Sequence, residues 1–189
     1  MPGIEVVPIY FANHDETLRR LGTDLERDFQ GEVRHRNPWF DPEVAFDATR
    51  GQYRATHLLK ALLDDPQADR AERILGVTNV DLFTPVLTYV FGEAQLDGRA
   101  AVVSCHRLRN EVYGLPPDPR LLYERLHKEA VHELGHTYGL LHCPSIGCVM
   151  RASTYAEEIE LKDASFCERC RALVARRGGR TLSSAHELL

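Results

Sequence analysis

The sequence predicts an α/β fold: a single domain in which helices cover a mixed β-sheet. Short segments rich in β-branched residues alternate with amphipathic helical segments in the first half of the chain, a pattern typical of sheets with parallel strands. Two closely spaced strands, predicted at residues 86–91 and 101–105, indicate that one strand joins antiparallel, and Gly92 interrupts the first of them. The length of 189 residues suits one domain with a sizeable core.

The elements in the first half of the chain are predicted from apolar periodicity and from helix breakers. Residues 16–29 form a helix because apolar side chains from Leu18 to Phe29 recur three and four positions apart, with Asp15 as the N-cap. A second helix cannot continue past Pro66, because proline lacks the amide hydrogen that a helix interior needs. The other predicted elements are strands at residues 4–11, 32–36 and 73–77, a loop at 37–49, the second helix at 52–63 and a turn at 81–84.

The second half of the chain contains one long predicted helix. Residues 120–138 follow a proline-rich loop, and Gly139 ends the helix because glycine readily adopts the left-handed backbone conformation. We expect residues 1–176 to form the domain and residues 177–189 to form a tail.

Composition and charge argue against several classes of protein. The formal net charge of −5 disfavours nucleic-acid binding, because phosphate recognition needs a basic surface. No apolar run reaches the roughly 18 residues that a membrane-spanning helix needs, and the opening residues lack the basic start of a secretory signal. We therefore expect a cytoplasmic monomer without nucleic-acid or membrane partners.

The segment HELGH, which begins at His132, has the spacing of metal ligands. Residues four positions apart lie on the same face of a helix, so His132 and His136 can approach one ion. Glu133 directly follows the first histidine, so its carboxylate can reach a metal-bound water rather than the metal. The sequence therefore predicts a zinc site on the long helix.

Two further residues extend this motif. Gly139 can turn the chain sharply where the helix ends, and His142 can then return to the same ion. Three protein ligands with one open position are typical of catalytic zinc. The alternative is three histidines on the surface without a metal, and the regular spacing with its glutamate and glycine disfavours it.

The predicted site supports amide hydrolysis, with a peptide or small protein as the expected substrate. Zinc lowers the pKa of a bound water to near neutrality and polarises a carbonyl group. Glu133 takes the proton of the attacking water and passes it to the leaving amine. Two rival interpretations remain: a zinc-braced peptide- or protein-binding module without effective catalysis, and a zinc hydrolase of a non-peptide amide.

Four of the five cysteines form a second candidate metal site within residues 143–170. Cys143 and Cys148 make one close pair, and Cys167 and Cys170 make another, a spacing typical of a structural Cys₄ zinc site. Redox chemistry at the second pair and an iron–sulfur cluster on all four cysteines are the alternatives. We expect two zinc ions per chain, one catalytic and one structural.

The pattern HELGHTYGLLHCPSIGCVM, followed by FCERC, resembles that of the archaemetzincins, a family of metzincin zinc metallopeptidases. The match spans residues 129–170, and the stretch GVTNVDLFTPVLTYVFGEAQ is similar to the family more loosely. The resemblance implies that the three histidines bind zinc, that Glu133 is the base and that Met150 lies under the zinc site. It also implies a twisted mixed sheet and a cleft beside an antiparallel edge strand, for which residues 86–91 are our candidate.

Three further positions carry weaker signals. Some metzincins place a tyrosine ligand two residues after the methionine, but this position is Ala152 here, so that role is not carried over. Glu129 is interpreted as part of a solvated helix face, with support of the metal ligands as the alternative. Asp81 can support a histidine or cap a turn, and the sequence leaves both roles open.

Overall fold

The computed structural model describes residues 3–11, 16–65 and 73–178. Within these ranges the chain forms nine strands and five α-helices. The strands are β1 (Ile4–Ile9), β2 (Val33–His35), β3 (Phe46–Asp47), β4 (Gln52–Arg54), β5 (Arg73–Thr78), β6 (Leu82–Thr84), β7 (Leu87–Val90), β8 (Gly92–Ala94) and β9 (Ala100–Ser104). The helices are α1 (Glu16–Phe29), α2 (Ala55–Leu63), α3 (Pro119–Thr137), α4 (Ala156–Glu160) and α5 (Glu168–Gly178).

The main sheet has five strands in the order β2-β1-β5-β9-β8. The first four strands are parallel to their neighbours, whereas β8 runs antiparallel to β9, with Gly92 opposite Val103. This arrangement confirms the predicted α/β fold with a mixed sheet.

Alternating side chains of the central strands face two separate cores. Val6 and Val103 pack with α1 and α3, whereas Val7 and Val102 pack with α2 on the opposite face of the sheet. Successive side chains of a strand point to opposite faces, so a strand covered by helices on both faces is buried along its whole length. All residues of β5 and β9 are buried for this reason.

A second sheet has the order β3-β4-β6-β7, and no pattern in the sequence predicted this sheet. The helix predicted from residue 52 begins at Ala55, because the three residues before it form β4. The turn predicted at residues 81–84 is wrong, since Leu82–Thr84 is strand β6. Tertiary pairing explains both corrections: Tyr53 N donates to Asp81 O at 2.8 Å, and β4 lies parallel to β6. A partner strand distant in sequence therefore overrides the local signal.

The prediction of a loop at residues 37–49 is correct in part. The segment contains a short 3₁₀ helix at Pro42–Ala45 and then β3, which pairs antiparallel with β4. Asp41 starts the 3₁₀ helix because its side chain accepts a hydrogen bond from Glu43 N. The second sheet thus begins inside the predicted loop.

Helix α3 crosses beneath β8 and β9 and carries the HELGH segment. It begins at Pro119, where the side chain of Asp118 accepts from Leu121 N at 2.9 Å, as expected of an N-cap. It ends at Thr137, and Gly139 has a φ of +73°, which glycine adopts at little cost. The predicted helix was correct within one residue at each end.

Several expectations fall at the limits of the described residues. Helix α1 matches its prediction, but Asp15, its proposed N-cap, lies outside the described residues. Helix α5 extends to Gly178, and residues 179–189 of the predicted tail lie outside the description as well. Within the part of the chain that the structure describes, no helix has the length and apolar character needed to cross a membrane.

The core on the α2 side of the main sheet gives a test of the fold. We expect Leu62→Ala to lower the free energy of unfolding by about 2–5 kcal/mol, because Leu62 is fully buried and its removal leaves a cavity. Leu115→Ala is the control, since Leu115 is 53% exposed and its truncation should change stability by less than about 0.5 kcal/mol. Urea unfolding followed by circular dichroism measures both. Equal effects would contradict the assignment of Leu62 to a packed core.

Candidate metal centre

The three predicted histidine ligands lie together at the end of α3. One ring nitrogen from each of His132, His136 and His142 lies within 4.8 Å of the other two. The first two are one helical turn apart, and the third follows the turn at Gly139. In that turn Gly139 N donates to His136 O at 2.8 Å, and Leu140 N donates to Gly135 O at 3.2 Å. The helix terminus itself therefore returns the chain to the first two rings.

Backbone carbonyls fix the orientation of two of the rings. His132 Nδ1 lies 2.8 Å from Val149 O, and His136 Nδ1 lies 2.7 Å from Leu140 O. A carbonyl oxygen can only accept a hydrogen bond, so both Nδ1 atoms carry the hydrogen and both neutral rings keep a lone pair at Nε2. The usual partners of a metal-binding histidine are therefore present.

The distance between the two Nε2 atoms fits a zinc ion. His132 Nε2 and His136 Nε2 are 3.1 Å apart, and two lone pairs repel at that distance unless a cation lies between them. Zinc–nitrogen bonds of about 2.0–2.1 Å in tetrahedral geometry place two nitrogens roughly 3.4 Å apart. Burial lowers the pKa of His132 well below its usual range and also lowers the pKa of His136. Both rings are thereby kept in the neutral form that binds metals.

Glu133 lies between α3 and the edge of the main sheet. It is 6% exposed, and a Cβ atom added to Gly92 of β8 would lie 2.6 Å from Glu133 Cγ. Burial raises the pKa of Glu133 well above its usual range, and the carboxylate of Glu129 raises it further, whereas the Lys162 ammonium opposes them. The structure thus places Glu133 beside the three histidines, as predicted.

Met150 is fully buried against Gly135, which lies on α3 between the first two histidines. Cys143 N donates to Met150 O at 2.9 Å, which connects the loop after the third histidine to residues 149–151, here called the methionine segment. Because a side chain at position 135 would collide with the methionine sulfur, the glycine in HELGH allows this close packing.

A cleft of about 750 Å³ lies over the histidines and Glu133. Residues of β7 and β8 and residues 152–155 line this cleft. Tyr89 OH donates to Thr154 O at 2.9 Å and so connects these two lining segments. Large apolar side chains that line the cleft and are more than half exposed are Leu87, Leu96, Leu141 and Tyr155.

The candidate edge strand is correct in part. Residues 86–91 contain β7, an antiparallel edge strand that lines the cleft, but it is the edge of the second sheet and not of the main sheet. The antiparallel edge strand of the main sheet is β8, which begins at the glycine that was predicted to interrupt the strand. Because Gly92 has no side chain, β8 can approach Glu133 closely. A glycine that usually marks the interruption of a strand therefore begins an edge strand here.

The four cysteines form a second cluster, next to the first. The sulfurs of Cys143, Cys148, Cys167 and Cys170 all lie within 4.8 Å of one another. Cys143 Sγ and Cys167 Sγ are 3.8 Å apart, far longer than the roughly 2.05 Å of a disulfide. Tetrahedral zinc with bonds of about 2.3 Å to sulfur gives a sulfur–sulfur distance of roughly 3.8 Å.

The four sulfurs lie in different environments. The backbone N–H of Cys170 holds the pKa of the Cys167 thiol at about 7, whereas burial raises the pKa of Cys148 and Cys170. Cys167 N also donates to Cys148 Sγ at 3.3 Å. All four side chains point to one centre, so the second pair is part of a four-sulfur site rather than an isolated dithiol.

Two acidic residues lie in different environments from those that the sequence suggested. Glu129 is 3% exposed, so the prediction of a solvated helix face is wrong, and its Oε1 lies 2.8 Å from Lys162 Nζ. The burial of Lys162 was not predicted, because an isolated lysine in the sequence gives no local sign that it is buried. Asp81 accepts from Arg107 and Gln52 and connects strands of the second sheet, while His106 Nε2 is 4.0 Å away. Asp81 therefore stabilises the sheet rather than the histidine centre.

An α/β domain with a histidine centre on a helix, a glutamate beside it and a cleft along an antiparallel edge strand defines the class of zinc metallopeptidases. The chain belongs to peptidase family M54, whose sequence model matches residues 41–176. This membership confirms the resemblance noted from the sequence.

The relatives are archaemetzincins from archaea. That of Methanopyrus kandleri is 48% identical over 143 residues, which are 73% of this chain and 76% of the relative. Its crystal structure covers 95% of this chain and 96% of its own, with a TM-score of 0.81. A structure described as a zinc-dependent peptidase, from Methanocorpusculum labreanum, is 30% identical and has a TM-score of 0.78. It covers 91% of this chain and 100% of its own.

The close contact between β8 and Glu133 gives a second test. In Gly92→Ala the new Cβ atom would lie 2.6 Å from both Val102 O and Glu133 Cγ, so the edge strand has to shift. We expect a loss of about 1–3 kcal/mol in the free energy of unfolding, as for other overpacked sites. Gly3→Ala is the control, because its Cβ atom would meet Glu32 O at an ordinary 3.7 Å. Chemical denaturation compares the two, and an unchanged Gly92→Ala would refute the contact.

Proposed function

We propose that this protein hydrolyses peptide bonds, with His132, His136 and His142 holding a catalytic zinc ion and Glu133 acting as the general base. The observation that carries this proposal is the convergence of the three ring nitrogens in the cleft that the buried side chain of Glu133 also lines. Membership of a peptidase family supports it. Zinc bound there would polarise the scissile carbonyl and increase the acidity of a water molecule.

Glu133 is placed to move a proton between water and the leaving group. Its side chain lies in the cleft wall beside Gly92, at the edge strand where a substrate backbone would lie. The carboxylate takes a proton from the attacking water and then delivers it to the amine nitrogen of the departing peptide. The two steps leave the glutamate unchanged at the end of the cycle.

The substrate that fits the cleft is an extended peptide with apolar side chains. β8 is the last strand on its side of the main sheet, so a peptide can add to it by backbone hydrogen bonds. Leu87, Leu96 and Leu141 are more than half exposed in the cleft, and they offer contacts to apolar substrate side chains. Specificity would then come from the side chains that point into the cleft.

We assign a second, structural zinc ion to the four cysteines, which gives two ions per chain. A site with four thiolates has no open position for water, so it contributes stability rather than catalysis. Cys143 follows His142 in the chain, so the structural ion would hold the third catalytic ligand in place. Both sites lie in residues 1–176, which we propose act as one catalytic domain, with residues 177–189 as the tail.

A peptide library tests the catalytic proposal. Zinc-loaded protein is incubated with diverse peptides, and products are identified by mass spectrometry. We expect Glu133→Gln to lower the rate by about 10²–10⁴-fold, because it removes the base while keeping the shape of the side chain. Glu124→Gln, an exposed position on the same helix, is the control and should cleave like the parent.

The alternatives predict different outcomes. If zinc is present at both sites but no product depends on Glu133, the protein is a binding module or acts on a non-peptide amide. Cleavage that persists in Glu133→Gln would instead remove this residue from the mechanism.

The link between the two metal sites has a test of its own. We expect Cys143→Ser to weaken zinc binding at the cysteine site and, by about tenfold, at the histidine site, because His142 loses its neighbouring anchor. Metal analysis and competition with a chelator measure both affinities. Cys105→Ala is the control, since Cys105 is buried and lies outside both clusters. Full affinity at the histidine site in Cys143→Ser would disprove the link.

A further inference from the structure

Lys162 is a charged side chain with no exposed surface. It lies just after α4, and its Nζ is 2.8 Å from Glu129 Oε1 and donates to Arg151 O at 3.0 Å. Removing two charges from water is costly, and apolar side chains of similar volume often stabilise a core equally well. We therefore expect the buried ion pair of Lys162 and Glu129 to have a role other than stabilising the fold.

The two partners of Lys162 belong to the two chain segments that a hydrogen bond of a metal ligand connects. Glu129 is on α3, three positions before His132. Arg151 O lies in the methionine segment, two positions after Val149, whose carbonyl accepts from His132 Nδ1 at 2.8 Å. The ammonium thus ties the helix that carries the ligand to the segment that orients its ring.

Other hydrogen bonds of the methionine segment lead away from α3. Val149 N donates to Ser165 O at 3.0 Å, and Arg151 N donates to Cys148 O at 3.0 Å. These contacts hold the segment to the cysteine cluster and its surroundings. The contact through Lys162 joins it instead to the helix, one turn before the first histidine.

We propose that Lys162 is a positioning residue that sets the orientation of His132 through the Val149 carbonyl and thereby sets the metal affinity of the histidine site. The inference rests on the proposed metal site of the three histidines. Lys162 does not touch substrate or metal in this role. Its ammonium also acts electrostatically on His132 and Glu133, so the test must separate that charge effect from the orientation of the His132 ring.

The test has to distinguish the loss of the Lys162 contacts from a change in the net charge near the histidine site. Removing Lys162 alone would leave the Glu129 carboxylate unpaired near a cation site. The negative charge of Glu129 would then strengthen metal binding, while the loss of the Lys162 contacts would weaken it. The double variant Lys162→Met/Glu129→Gln removes one positive and one negative charge, so the net charge near the site is unchanged. Methionine also matches the length and volume of the lysine side chain.

Metal affinity is measured by chelator competition, and site geometry by the absorption spectrum of cobalt-loaded protein. Thiolate charge-transfer absorption in the near ultraviolet reports the cysteine site, so loading of the two sites can be followed separately. In the double variant we expect the histidine site to bind zinc at least about tenfold more weakly, with altered visible cobalt bands. The cysteine site should bind as in the parent.

The matched control removes a different ion pair from the same helix. Arg120→Gln/Glu124→Gln deletes an exposed pair whose Nε–Oε1 distance is 2.9 Å, and it should leave both affinities unchanged. Parent-like affinity at the histidine site of Lys162→Met/Glu129→Gln would overturn the inference and leave Lys162 a structural residue.

A second variant keeps the inference testable if the double variant does not fold. Lys162→Arg preserves the charge opposite Glu129, but its planar, longer side chain cannot hold Arg151 O in the same position. We expect changed visible cobalt bands with an unchanged thiolate band, and a parent-like spectrum would overturn the proposal. None of these measurements uses turnover, so an inactive parent that binds metal would refute the peptidase function alone. A parent without metal at the histidines would refute both.

Discussion

The close approach of two uncharged imidazole nitrogens is the constraint around which this molecule is arranged. His132 Nε2 and His136 Nε2 face each other at 3.1 Å, with both hydrogens held on the opposite side of the rings by backbone carbonyls. Such an arrangement is repulsive unless a cation lies between the nitrogens. The surrounding elements maintain it: α3 spaces the two rings, the turn at Gly139 returns the third, and the packing of Met150 fixes the segment that supplies one carbonyl.

The two metal clusters are joined by a short piece of chain. His142 belongs to one cluster and Cys143 to the other, and Cys143 N donates a hydrogen bond to Met150 O. A structural ion at the cysteines would therefore stabilise the same loop that brings the third histidine to its place. Helix α5, which carries Cys170, also contacts the turn that follows β8, because Arg177 forms an ion pair with Asp97.

Local patterns predicted the elements whose stability is mainly local. The helix periodicity of α1, the proline and glycine limits of α3 and the spacing of the histidines and cysteines depend on neighbours within a few positions. The second sheet could not be found in this way, because β4 and β6 are short and each is stabilised by the other across about 30 residues. The burial of Glu129 was missed for a related reason: its partner, Lys162, is distant in sequence and only the fold brings them together.

The amino-acid sequence was sufficient to predict the candidate zinc ligands, the candidate base and the mixed α/β domain that carries them. These properties follow from residue type and from spacing along one helix and one loop. Pairing and packing in three dimensions were needed to establish that β8 rather than β7 is the edge of the main sheet, and that the buried Lys162 ammonium connects α3 to the methionine segment. Which strand forms the edge and which charged residues are buried depends on packing between segments far apart in the chain. The local sequence pattern is compatible with several strands and several charged residues in these roles.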